Sequence, residues 1–180
     1  MNRSSYLGWL FLAVWAAWLS ALSGHLAQFS WLGPWAPDLE LALFVALAAR
    51  AQASDIAKFA LCLGLARAAV SIDPPAAVLA AALGTGALLR IARGGVQVDN
   101  PVIAAGLACT ACIARGAWLE AVHFHTRAAS IVEWTHVEVA WRAGISTGAA
   151  TALLGGVLAS LPGLGSLSRR KTWAVGASLR

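Results

Sequence analysis

Six apolar stretches, each bounded by charged or turn-forming residues, organise the chain. The first runs from about Tyr6 to Leu22 and is rich in Leu, Ala and Trp; Gly33, Pro34 and Pro37 interrupt the pattern after it. The second extends from about Asp38 to Arg50, and its apolar core at 39–49 is broken only by Glu40. A full crossing of a bilayer takes about 20 residues, so this stretch is short for one. It predicts either a helix entered from an aromatic interface at Trp35 or a buried half-span. The third spans about Ala53–Ile72 and carries Lys58 and Arg67, and the turn Asp73-Pro74-Pro75 separates it from the fourth, about Ala76–Ile91. The fifth, about Pro101–Val122, and the sixth, about Val139–Leu161, precede a basic tail.

Composition turns this pattern into a choice of solvent. Of 180 residues, 59% are hydrophobic and 12% charged, against about 25% charged in ordinary soluble domains. A water-soluble fold of this length could not hide so much apolar surface. The expected class is all-α: a polytopic membrane bundle of about six transmembrane helices in one domain, 1–165, with a basic cytoplasmic tail at 166–180. Arg3 followed by the apolar run to Leu19, with Ala21 and Ser23 beyond, resembles a signal peptide. Further apolar stretches follow, so an uncleaved first helix is expected.

Charge placement orients the bundle. With alternating helices and an inner N-terminus, the inner ends collect Arg3, Arg50, Lys58, Arg90, Arg93, Arg169, Arg170, Lys171 and Arg180. Only Arg127 and Arg142 fall at the outer ends, with Arg67 and Arg115 inside spans. That asymmetry follows the positive-inside rule and puts both termini in the cytoplasm. The net charge of +5 is dispersed between apolar runs. It forms no basic-aromatic surface for nucleic acid. Trp18, Trp31, Trp35, Trp118, Trp134 and Trp141 gather near the outer interface, where amphipathic rings anchor helices.

Several residues are candidates for more than packing. Arg67 and Arg115 each face an insertion cost of at least ~2.5 kcal/mol. Asp38, Glu40, Asp73 and Glu120 lie at the same depth. Two readings stand: snorkelling to the headgroups without a fixed partner, the default for a long cation, or a polar cluster that sets helix packing or binds something outside. Cys109 and Cys112 form C-x-x-C one turn apart and read as small packing residues, as does Cys62. His123 and His125, with Glu133, His136 and Glu138 nearby, lack the spacing of a zinc motif, so no metal and no cofactor is expected. Gly144 and Gly148 make G-x-x-x-G, and Gly84 and Gly86 a similar pair; both predict close helix contacts. No nucleophile elbow, zinc-protease helix, phosphate loop or dinucleotide fingerprint occurs. An enzyme is not expected.

The stretch WLGPWAPDLELALFVALAAR, in which Pro37-Asp38-Leu39 opens an apolar helix, resembles the rod shape-determining protein MreD family. So does GLARAAVSIDPPAAVLAAALGTGALLRIAR, and the likeness covers roughly residues 30–93. One departure is Ala68 after Arg67, where many members carry an acid. The resemblance implies a non-catalytic inner-membrane scaffold of the bacterial cell-elongation complex, involved in cell shape and peptidoglycan synthesis. Its partners would be the lipid bilayer, MreC and other elongation proteins. Pro37, Asp38, Arg67, Asp73 and Pro74 would lie near those contacts, with Arg115, Glu120, Gly144 and Gly148 as further contact or packing candidates. The alternative is the substrate-binding membrane subunit of an energy-coupling-factor vitamin importer, a group to which that family is similar in fold.

Overall fold

The computed structural model describes residues 3–98, 100–127 and 134–168. Asp99, Glu133, Arg169, Arg170, Lys171 and Arg180 lie outside the described residues, as do the side chains of Arg3, Arg127, Trp134 and His136 and the tail from 169 onward. The described residues are helical with no strand: α1 (Arg3–Leu26), α2 (Leu39–Arg50), α3 (Ile56–Val70), α4 (Pro75–Gly95), α5 (Pro101–Arg127), α6 (Trp134–Leu158) and a short α7 (Gly165–Ser168). A single 3₁₀ turn, Gly33–Trp35, sits before α2. Among the described residues, three helices are long and apolar enough to cross a membrane: Tyr6–Leu26, Pro75–Gly95 and Pro101–His125.

Each long helix turns one stripe inward. On α1 the stripe is Leu12, Ala16 and Leu19; on α3 it is Ile56, Phe59, Ala60, Leu63 and Ala66. On α5 it runs Ala104, Ala108, Ala111 and Arg115. Spacings of three and four residues place these side chains on one face of a 3.6-residue helix. Arg115 therefore occupies a core-facing position rather than a surface one. The opposite faces carry exposed Leu7, Leu10, Val14, Leu83, Ile91, Val102, Leu153 and Val157. Large apolar side chains on the outside suit hydrocarbon and would be costly in water.

α2 is the exception, because it has no outer face. Every residue from Leu39 to Ala49 is buried, which fits a helix that is apolar all round. Its 12 residues rise about 18 Å, too little to cross alone. α1, α3, α5 and α6 pack around it.

Small residues set the neighbouring contacts. A Cβ on Gly148 would stand 2.8 Å from the Ala105 carbonyl oxygen, and one on Gly144 2.8 Å from Ile113 Cγ1. The G-x-x-x-G of α6 thus lets α5 approach at backbone distance, within the same chain. Gly86 does the same on α4, where a Cβ would lie 2.8 Å from Ala60 Cβ of α3. Gly84 does not belong to that contact: nothing lies within 4 Å of it. The expectation of a Gly84–Gly86 pair is corrected here, since residues two apart on a helix point to different sides.

Candidate functional site

The start of α2 lies inside the bundle, which creates a demand for hydrogen bonds. A helix leaves its first N–H groups without internal partners, and here neighbouring side chains meet them. Asp38 caps the helix by accepting from the Leu41 N–H at 3.1 Å through Oδ1. Ser23 of α1 accepts from the Leu39 N–H at 3.0 Å. Thr147 of α6 accepts from the Asp38 N–H at 2.9 Å. Neighbouring helices thus complete the N-terminus of α2, and its dipole favours the two acids placed there.

Those acids in turn draw in the two arginines on the neighbouring helices. Arg67 of α3 donates from Nη1 to Asp38 Oδ2 at 3.0 Å and to Glu40 Oε2 at 2.9 Å. Arg115 of α5 donates from Nη2 to Glu40 Oε2 at 3.1 Å, and its Nη1 lies 3.5 Å from Asp38 Oδ2. Ser20 of α1 adds a third donor to Glu40 Oε2, at 3.0 Å. Two carboxylates face two guanidiniums, so the formal charges cancel. The Glu40 side chain is only 3% exposed and that of Arg115 only 7%. At such burial each charge is tolerable only because the others are present.

Of the four acids at this depth, the fold gives Asp38 and Glu40 to the arginines. Asp73 instead accepts from Ser71 Oγ at 2.7 Å and pairs with His123 Nε2 at 2.9 Å. That pair ties the α3–α4 turn to the end of α5. Glu120 is not among the ion pairs of the cluster. Pro37 precedes the capping Asp38, and Pro74 is the residue before α4. Arg67 and Arg115 are held by fixed carboxylate partners rather than left to snorkel. Cys112 lies beside the cluster, with Thr147 Oγ1 3.6 Å from its Sγ, and the three cysteines are free thiols. His125 Nδ1 meets the Ala121 carbonyl at 3.0 Å. Among the described residues no three His, Cys, Asp or Glu side chains converge as metal ligands would.

Ser20 and Thr147 are not among the expected site residues, and Ser23 is read from the sequence only as part of a signal-peptide-like end. Hydroxyls within predominantly apolar helices were the available signal, since each needs an acceptor or donor nearby.

The aromatic groups mark the same end. Trp118 Nε1 donates to the Ala77 carbonyl at 3.0 Å. Arg142, which pairs with Glu138, sits 5.7 Å over the ring of Trp35, within range of a cation–π contact.

At the opposite end α2 stops at Arg50. Arg93 of α4 donates to the Ala48 carbonyl at 2.9 Å and so satisfies one of the free carbonyls of that terminus. Beside it a pocket of about 460 Å³ opens between α2, α5 and α6, with Arg50 and Thr151 among its lining residues. Comparison with family models, curated proteins and solved structures returned no match.

Proposed function

We propose that this chain is a non-catalytic scaffold subunit in the bacterial inner membrane, serving the cell-elongation complex that shapes the cell and builds peptidoglycan. In this reading α1 to α6 make six passes, α2 being a short inner pass screened by its neighbours and α3 a short pass with an outer face at Leu61 and Leu65. Both termini face the cytoplasm, as the basic residues require under the positive-inside rule. The end that carries the charge cluster then faces outward, toward a partner such as MreC.

The observation that carries the reading is the neutral cluster of Asp38, Glu40, Arg67 and Arg115. Its charges are paired with one another, which suits a rigid frame better than a site awaiting a charged ligand. Two of the segments that resemble MreD, at 31–50 and 64–93, supply α2, the end of α3 and α4, and hence three of those four residues. A vitamin importer would need convergent polar groups lining a cavity at the outward end; the pocket beside Arg50 lies at the other.

Affinity purification of the intact chain from detergent-solubilised membranes tests the reading, alongside depletion of the protein in growing rods. Recovery of MreC and rounding of depleted cells are expected. Recovery of a pair of ATPases instead, with cell width unchanged, would replace the scaffold with the importer.

A further inference from the structure

The pocket at the Arg50 end takes no part in the charge cluster. Its walls come from Ala46 and Ala49 of α2, Ala104 of α5, and Ala152, Gly155 and Gly156 of α6. With so little side chain at these positions, three helices that touch elsewhere leave a slot here. At about 460 Å³ the slot is within the size range of small-ligand sites.

Its rim carries Arg50, which is exposed. Among the described residues Arg50 forms no ion pair. A Cβ on Gly156 would lie 3.8 Å from Arg50 Nη2, so the guanidinium lies along α6 at the pocket edge. Pro101, the first residue of the 27-residue α5, lines the same pocket. Pro101 has no N–H and Asn100 Oδ1 already accepts from the Val102 N–H at 2.9 Å, so what this terminus adds beside the guanidinium is the residual positive end of the helix dipole rather than a set of free donors.

We infer that this pocket binds an anionic phospholipid, its phosphate held between Arg50 and the start of α5 and acyl-chain carbon lying along the alanine and glycine walls. The cation and the helix terminus attract the phosphate, and the apolar slot behind them favours hydrocarbon over a hydrated free ion. Basic pockets between helices near a membrane surface take acidic headgroups on the same grounds. The inference needs the chain to sit in a bilayer but not any particular complex. Failure to recover MreC would leave it standing.

The test uses the full chain purified in detergent, with melting temperature and native mass spectrometry as readouts. The probes are phosphatidylglycerol, phosphatidylcholine and inorganic phosphate. Phosphatidylglycerol is expected to be retained and to raise the melting temperature, with phosphatidylcholine and inorganic phosphate giving smaller effects. Arg50→Gln should weaken phosphatidylglycerol binding about fivefold, the size expected for one basic residue at a membrane surface, while Arg50→Lys keeps part of it. Ala152→Phe, which fills the slot and leaves Arg50 in place, should reduce lipid retention. Equal stabilisation by phosphatidylcholine, or by inorganic phosphate alone, would overturn the assignment. So would unchanged phosphatidylglycerol binding in both Arg50→Gln and Ala152→Phe.

Discussion

Arg115 Nη2 of α5 lies 3.1 Å from Glu40 Oε2 of α2, joining residues 75 positions apart in the chain. Arg115 extends the buried alanine stripe of α5, and Glu40 opens a helix with no exposed face. Neither residue can turn to water without unpacking its helix. The pair is therefore a condition of the fold, whereas Arg67 and Asp38, 3.0 Å apart, lie nearer the surface with side chains 22% and 13% exposed.

The close approach of α5 and α6 predicts a contrast between glycines. Gly148→Val puts a branched side chain where the Ala105 carbonyl stands 2.8 Å from the first carbon. Overpacking of this kind costs about 1–3 kcal/mol, and a lowered melting temperature in detergent is expected. Gly84→Ala meets nothing within 4 Å and should be neutral or stabilising by up to about 1 kcal/mol, from helix propensity.

Arg93 predicts a smaller, local effect. Its bond to the Ala48 carbonyl satisfies a helix terminus held inside the bundle. Arg93→Met keeps much of the apolar stem and removes the donor. A loss of about 1–3 kcal/mol is expected for the unsatisfied carbonyl. The melting temperature of Arg93→Met against Arg90→Met, whose residue is exposed, isolates the term.

The six-pass topology predicts a labelling pattern. With Cys62, Cys109 and Cys112 replaced by alanine, Ile72→Cys should react with a membrane-impermeant maleimide in intact cells, since residue 72 is almost fully exposed in the α3–α4 turn. Gln52→Cys and Val96→Cys should react only after the cells are opened. Labelling of position 52 from outside would show that α2 and α3 do not return to the outer face as proposed.

The sequence carried some of this and not the rest. The breaks at Pro37 and Pro74 and the shortness of the stretch before Arg50 were enough to separate α2, α3 and α4, because proline and missing length act locally. Gly144 and Gly148 were readable for the same reason: their four-residue spacing is one turn of α6. Which acid would meet which arginine was not readable. Asp38, Glu40, Asp73 and Glu120 sit at similar depth, and only the central position of α2 gives Glu40 to Arg115 and leaves Asp73 to His123. The Arg50 pocket was equally hidden, since it arises where three helices fail to touch.

The most direct measurement is a double-mutant cycle on Glu40 and Arg115, read as unfolding free energy in detergent. Arg115→Met and Glu40→Leu alone each leave the cluster with one uncompensated charge, although Glu40 keeps Arg67 at 2.9 Å and Arg115 keeps Asp38 at 3.5 Å, and each should cost about 3–5 kcal/mol. The double variant, with Arg67 and Asp38 still paired, should recover much of that loss, giving a coupling of at least about 2 kcal/mol. Single costs below about 1 kcal/mol that simply add in the double variant would contradict a buried, mutually neutralised cluster at the centre of this bundle.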